Sequence, residues 1–233
     1  MRAIVTCAFG TRKDVGKSGE EEFIGKPFPE KIERFKQGFR EHSPSARIFS
    51  WVDSLPPGSP QHDDSPYAFK VYAIRDAARR QEAQTVLWAD SSVHVVKRLD
   101  PLWGLIESQG YWLSTNDVDE NTFRTCGEWT CDAALEPLGI TREEAFKIPQ
   151  VVATFFGLDF RHQIAVDFLR EWERLEKAGA FKGPWVNTNQ EASVDPRVLG
   201  HRHDQTAASV IAYRLGMKLM PMSMAVTFFD VER

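Results

Sequence analysis

The sequence predicts an α/β fold, with a mostly parallel sheet flanked by helices, in a single domain over residues 1–233. Three observations carry this. Val86-Leu87-Trp88-Ala89 is a short apolar run that ends at once in Asp90-Ser91-Ser92. That is the pattern of a buried parallel strand delivering polar residues to the carboxyl edge of a sheet. Upstream of it, apolar runs alternate with helical periodicity, strand-helix-strand-helix-strand, which implies crossover connections and parallel pairing. Finally, 233 residues with 12% aromatics, among them sixteen Phe and seven Trp, suffice for one large core and are short for two full domains.

Each element follows in order. Ala3 to Ala8 is the first strand, and Phe9-Gly10-Thr11 the loop after it. Thr11 to Pro29 is long, charged and Gly-containing, so it reads as a loop. Glu30 to Glu41 is helical, with Ile32, Phe35 and Phe39 on one face, until Ser43-Pro44-Ser45 breaks it. Arg47 to Val52 is the second strand, ending at Asp53, and Leu55 to Pro60 is too rich in Pro for regular structure. Ser65-Pro66 has the form of an N-cap and first helical residue. The helix it predicts runs to about Arg80, with Tyr67, Val71, Ile74 and Ala78 inward, and feeds the third strand, Thr85 to Ala89.

Val93 to Val96 is a short further strand. Asp100-Pro101 starts a helix to about Ser108, with Leu102, Leu105 and Ile106 inward. Tyr111 to Leu113 is short strand, and Asn116 to Thr130 is polar and irregular. Thr141-Arg142-Glu143-Glu144 has the capping-box form of a helix start. Val151 to Phe156 is an apolar strand ending at Gly157. His162 to Lys177 is an amphipathic helix with Ile164, Phe168, Trp172 and Leu175 on one side, stopped by Gly179. Gly183 to Gly200 is a loop. A last helix follows His201-Arg202-His203-Asp204-Gln205, with Ala207, Ile211 and Leu215 buried and Gly216 as its stop. Val226 to Phe229 is a terminal strand.

Composition excludes some functions. With 29 basic and 33 acidic residues the formal charge is −4, and no basic tail or Lys/Arg stripe marks a nonspecific nucleic-acid binder. No stretch reaches the ~20 apolar residues of a membrane span. Cys7, Cys126 and Cys131 are sparse and odd in number, which reads as reduced thiols in a cytoplasmic protein. The spacing of Cys126 and Cys131 is not that of a zinc site.

Three segments beside strand or helix ends could carry chemistry. Thr6 to Gly10 brings a Gly where a ligand approaches backbone closely, without a dinucleotide or P-loop motif. Lys70, in Tyr67-Ala68-Phe69-Lys70, lies in the first turn of its helix. There the macrodipole disfavours a cation, and a bound anion would resolve the conflict. In His201-Arg202-His203-Asp204-Gln205 three readings stand side by side. Asp204 suits an N-cap, His201 or His203 a divalent metal, and Arg202 with the helix start a phosphate. A metallohydrolase or phosphoesterase built on His201, His203, Asp204 and Asp90 is the competing enzyme class.

Together, Tyr67-Ala68-Phe69-Lys70, Val86 to Ser92 and His203-Asp204-Gln205-Thr206-Ala207-Ala208-Ser209 resemble the nucleotide-sugar glycosyltransferases of the GT-A type, in their small bacterial and viral forms. The resemblance spans Ser65 to Tyr111 well and the C-terminal helix in part. It implies a Rossmann-like sheet, with residues 1–113 as nucleotide-binding half and 114–233 as acceptor and metal half. It implies that Asp90, Ser91 and Ser92 stand at the DXD motif, binding donor ribose, sugar or a divalent cation (Mn²⁺ or Mg²⁺) that neutralises the diphosphate. Thr6, Ala8, Phe9, Gly10 and Asp53 would cradle the nucleotide. Lys70 and Arg202 would meet sugar or phosphate, Asp204-Gln205 would face the transferred sugar of a retaining enzyme, and His203 would be the C-terminal metal or phosphate contact.

The chain departs from that pattern at Ser92, where the DXD motif has its second acid; a hydroxyl is a weak cation ligand. Arg202, Lys70 and His203 could supply the same charge without an ion. Asp90, His94 and His203 form an alternative cation set if the strand continues regularly past Asp90. An inverting enzyme would need a base, for which Asp117, Asp119 and Asp159 are available. The acceptor is a glycan or, with Arg12, Lys13, Lys17, Lys97 and Arg98 as a basic groove, a hydroxymethylated DNA base. A nucleotide-sugar binding module without catalysis is the non-enzyme alternative.

Overall fold

A computed structural model of the chain describes residues 1–8, 13–15, 21–23, 28–119 and 122–231. For 13–15, 21–23, 28–30, 118–119 and 122–123 it describes the main chain only. In chain order the elements are β1 (Arg2–Ala8), β2 (Lys13–Val15), β3 (Glu21–Phe23), α1 (Phe28–His42), β4 (Arg47–Val52), α2 (Phe69–Arg79), β5 (Thr85–Ala89), β6 (Val93–Val95), α3 (Asp100–Gln109), β7 (Tyr111–Trp112), β8 (Asp117–Asp119), β9 (Thr122–Phe123), α4 (Asp132–Leu138), α5 (Arg142–Ala145), β10 (Phe155–Asp159), α6 (Gln163–Lys177), α7 (His203–Arg214), α8 (Met222–Ala225) and β11 (Phe229–Val231).

The central sheet has the order β4-β1-β5-β10-β7. β1 pairs in parallel with β4 and β5, whereas β10 is antiparallel to β5 and β7. Four strands point one way and one is reversed, which is the mostly parallel α/β sheet expected. Side chains alternate across it. Ala3, Val5, Cys7, Val86 and Trp88 join one apolar layer with Val71, Ile74, Phe168, Trp172 and Ile211 from α2, α6 and α7. Ile4, Ala8, Leu87 and Ala89 join the other with Phe35, Phe39, Leu102 and Trp103 from α1 and α3. Each such large side chain, fully buried, contributes roughly 1.5–3 kcal/mol. Nine of the twelve residues of α7 are buried, so this helix lies inside the domain and no single stripe marks it in the sequence. No described helix is long and apolar enough to cross a membrane.

Four boundaries differ from expectation. α2 starts at Phe69 rather than at Pro66, because Tyr67 has φ of 63° and cannot continue a right-handed helix. The regular part of the Val151 to Phe156 run begins only at Phe155 and goes on to Asp159; Ala153 and Thr154 spend their carbonyls on Lys70 and on the Asp90 amide. β6 does not prolong β5: the chain turns at Ser91-Ser92, with the Val93 amide on the Asp90 carbonyl at 2.9 Å, and β6 pairs with β11 instead. The terminal strand is Phe229–Val231, the residues before it forming α8. Within the stretch read as irregular, β8 and β9 form a small antiparallel ladder. The capping box at Thr141 is present, with Glu144 Oε2 accepting from the Thr141 amide at 2.7 Å.

Candidate functional site

The site forms where β4, β1 and β5 end. The main chain crosses that edge tightly: the Asp53 amide donates to the Ala8 carbonyl at 3.0 Å and the Asp90 amide to the Thr154 carbonyl at 2.8 Å. Asp90 therefore projects from the end of a fully buried strand. Below it the indole of Trp88, itself buried, donates Nε1–H to Asp90 Oδ1 at 2.9 Å. The side chain of Asp90 keeps 32% of its exposure, so one oxygen is fixed from beneath while the carboxylate faces out.

Lys70, on the first turn of α2, reaches across to the same carboxylate. Its Nζ lies 3.3 Å from Asp90 Oδ1 and 3.1 Å from Asp204 Oδ2, and it donates to the Ala153 carbonyl at 2.9 Å. The approach to Asp204 Oδ2 is an ion pair rather than an aligned hydrogen bond. Lys70 is 3% exposed. Burial alone would lower its pKa, but Asp204 and Asp90 hold it above the ordinary lysine value. Asp204 is buried as well. Burial pushes it up to about 6 against the pull of Lys70, because one ammonium is shared by two acids. α6 fixes the turn that carries Asp204, the Trp172 indole donating to the Asp204 carbonyl at 2.9 Å.

A wall of rings stands beside this triad. Tyr67 stacks on His203 with centroids 5.7 Å apart, and His203 on Trp185 at 5.5 Å. Arg202, which precedes α7, lies between two indoles, its guanidinium carbon 3.8 Å from the ring centroids of both Trp129 and Trp185. The clamp is tied to α7: the Arg202 amide and the Thr206 hydroxyl both donate to the Trp129 carbonyl, at 3.1 and 2.8 Å, and the His201 amide donates to Pro184 at 2.9 Å. Gly200 lets these strands of loop meet, since a Cβ there would fall 2.1 Å from the Trp185 carbonyl. Arg202 Nη1 is buried without a hydrogen-bond partner. Burial lowers the Arg202 pKa to about 10. Tyr67, His203 and Asp53 all have left-handed φ, 63°, 42° and 48°, so local strain of order 1–3 kcal/mol per residue collects at this edge.

Of the residues singled out in the sequence, Asp90, Lys70, Arg202, His203 and Asp204 come together here. Gln205 is half-buried on α7, Ser91 is buried and Ser92 half-buried in the turn, and Asp53 is exposed at the end of β4. Thr6 and Ala8 turn to the layer of Ile4, away from Lys70; the buried Thr6 hydroxyl has no partner. Phe9, Gly10, Arg12 and Lys17 lie outside the described residues, as do the side chains of Lys13 and Asp119. Asp117 accepts from the Met222 amide at 2.7 Å. Asp159 is removed from the site: it pairs in register with Thr85, at the opposite end of β5 from Asp90, and is bound by Arg161.

Residues that would hold a divalent cation do not converge. Among the described residues no group of three or more His, Cys, Asp and Glu side chains is placed to bind one. Asp90 Oδ1 and Asp204 Oδ2 already share Lys70. His203 Nδ1 contacts the Phe181 carbonyl at 2.8 Å, and burial keeps this ring neutral, its pKa lowered to about 3. His94 faces Asp230 across the ladder of β6 and β11, which removes the Asp90-His94-His203 set. His201 spends Nε2 on the Ala180 carbonyl and Nδ1 on the Cys131 amide. Fully buried, it has no nitrogen left for a metallohydrolase. The side chains of the described residues do not fit a metal centre.

Sequence reasoning missed Trp88 as a support for Asp90, the Ala153 carbonyl, Cys7, and the two indoles around Arg202. Cys7 faces Asp90 and Lys70 from β1, and burial and then Asp90 push its thiol pKa far up, so it is inert as a nucleophile. Trp129 ends a single 3-10 turn and Trp185 sits in a loop, neither within a periodic stretch. Their one signal is a large aromatic in a polar stretch that has no apolar period to require it.

No family model matches the chain, and no curated protein does. Solved structures similar to it include a glycosyltransferase involved in the glycosylation of the major capsid of PBCV-1, at 13% identity and a TM-score of 0.49, covering 94% of this chain and 80% of that one. A second is the galactosyltransferase LgtC in complex with donor and acceptor sugar analogs, at 11% identity and a TM-score of 0.41, covering 77% of this chain and 65% of that one. A third is HddC from Yersinia pseudotuberculosis complexed with GMP-PN, at 13% identity and a TM-score of 0.34, covering 72% and 80%. At 11–13% identity these are likenesses of fold.

Proposed function

We propose that this protein is a glycosyltransferase that moves a sugar from a nucleoside diphosphate to an acceptor hydroxyl. One observation carries the reading: Asp90 leaves the carboxyl edge of a parallel sheet beside Lys70 and Asp204, where open α/β sheets bind their ligands and where the resemblance to GT-A enzymes puts the donor. The anomeric carbon's bond to the diphosphate breaks, a bond to the acceptor oxygen forms, and the acceptor proton leaves with the diphosphate or to solvent. The outward face of Asp90 accepts hydrogen bonds from donor ribose or sugar hydroxyls. Arg202 offsets the charge of the leaving diphosphate, while Lys70 holds Asp90 and Asp204 in place. Gln205 faces the transferred sugar beside buried Asp204, and this acid-amide pair supports retention of configuration. Residues up to 113 hold most of the donor, Arg202, Asp204 and Gln205 close on its diphosphate and sugar, and the rest of the chain beyond 113 serves the acceptor.

A glycan suits the acceptor side. Trp185, Val186 and Leu199 are exposed next to the site, and apolar and aromatic faces with a few polar groups are what sugar rings pack on. Thermal unfolding with a panel of nucleoside diphosphates tests the reading, since a ligand of the folded state raises the midpoint. Stabilisation by at least one of them is expected; none at all would sink it. Asp90→Ala should lose donor hydrolysis, and undiminished hydrolysis in that variant would take Asp90 out of the site. A nucleotide that binds while its sugar is never released would leave a binding module.

A further inference from the structure

We infer that a bound diphosphate is met by Arg202, clamped between Trp129 and Trp185, without a divalent cation, because Lys70 already fills the cation position between Asp90 and Asp204. This rests on the nucleoside-diphosphate reading of the site.

Three internal oxygens enclose the Lys70 ammonium: it donates to the Ala153 carbonyl at 2.9 Å and is ion-paired with Asp204 at 3.1 Å and Asp90 at 3.3 Å. At 3% exposure it is closed off from a ligand. Its charge is spent on holding two carboxylates side by side, the task a metal performs between two acids. A second cation placed between Asp90 and Asp204 would have to displace a buried ammonium packed under α2, and like charges at such range repel strongly.

Arg202 is the opposite case. Among the described residues its guanidinium has no carboxylate partner, and Nη1 is buried with no hydrogen bond. A half-buried, unpaired guanidinium is costly unless an anion completes it. The two indoles, each 3.8 Å from the guanidinium carbon, fix its plane and cut the rotamer freedom lost on binding. A planar fork of this kind matches phosphate oxygens in pairs. Tyr67 joins the two halves of the site, for its phenol lies within the fields of Lys70, Asp204, Asp90 and Arg202 alike.

Inorganic pyrophosphate and a panel of nucleoside diphosphates, titrated calorimetrically in EDTA and again in Mn²⁺, test this. Binding in EDTA is expected, with an affinity that Mn²⁺ changes by less than about threefold. Arg202→Ala should weaken pyrophosphate at least about tenfold, and Arg202→Lys should recover only part of that, having charge without the fork. Manganese alone, followed by its electron paramagnetic resonance, should stay free beside the wild-type protein. Lys70→Ala, if it folds, should take up the ion, because two carboxylates are then left without a counter-charge. Tightening by Mn²⁺ of about tenfold or more, or unchanged pyrophosphate affinity in Arg202→Ala, would overturn the inference while leaving the transferase reading intact. Arg202-dependent pyrophosphate binding in EDTA with no nucleotide bound would do the reverse. Binding of neither anion refutes both.

Discussion

The two ends of the central sheet handle buried charge in opposite ways. At the amino end Asp159, fully buried, has a guanidinium largely to itself: Arg161 Nε lies 2.9 Å from Oδ1, and the Arg161 amide donates to the same oxygen at 3.0 Å. Nearby, Arg2 grips Glu107 with two bonds of 2.7 and 2.9 Å. Burial raises the Asp159 pKa, but the Arg161 bonds more than offset it and the carboxyl ends below its usual range. At the carboxyl end two acids share one ammonium, Asp204 stands at about 6, and the guanidinium of Arg202 is stacked on indoles rather than paired. One end is arranged to be finished in the folded chain. The other is left short of partners in both signs, which is the arrangement that the proposed binding site needs and a staple does not.

Removing Lys70 breaks that contrast most severely. Lys70→Ala strands two carboxylates against buried rings and should cost about 3–5 kcal/mol in urea unfolding at neutral pH. A loss below about 1 kcal/mol would mean that water replaces the ammonium freely. Next comes pH. Folding raises Asp204 from 3.8 to about 6, so the folded state holds this proton more tightly. Its contribution therefore falls as pH rises between about 4 and 6, by roughly 2–3 kcal/mol in all, and stays low above that window. Asp204→Asn should flatten this part of the stability profile; a profile unchanged in that window would remove Asp204 as its source.

Asp159 should show the opposite sign. Its lowered value means stability that is present above the ordinary carboxylate range and is lost as acid carries the pH down through the folded value. Asp159→Asn should cost about 1–3 kcal/mol at neutral pH and leave nucleotide binding unchanged; impaired binding would join the two ends functionally. The smallest effect belongs to the clamp. Trp129→Leu should leave the fold within about 1 kcal/mol of wild type, yet weaken pyrophosphate measurably in the same titration that follows Arg202→Ala.

Much of the sheet was legible because buried strands announce themselves by composition. Val86 to Ala89 could only be interior, and the acid after it had to sit at an edge. Lys70 was legible as a conflict, a cation at the wrong end of a helix. Its resolution was not: the sequence pointed to an external anion, whereas Asp204, 134 positions away in the numbering, supplies the charge. The reversal of β10 left no trace, since an apolar run reads the same in either direction. Nor did the ring wall, which is assembled from Tyr67, Trp129, Trp185 and His203 across four separate segments. Such convergence is tertiary, and no local period encodes it. The Ser65-Pro66 helix start failed for the reverse reason, since a good local signal was overruled by the left-handed turn at Tyr67.

The stacking of Trp185 on Arg202 also gives the molecule an optical label of its own. Trp88, Trp103, Trp112 and Trp172 are at most 1% exposed, while Trp185 is 47% exposed. A collisional quencher in solvent therefore reaches Trp185 first, the half-buried Trp51 and Trp129 less, and is shut out from those four. An anion seated on the guanidinium beneath it would change both its emission and its quenching, so occupancy of the clamp can be followed in the unmodified protein by light alone.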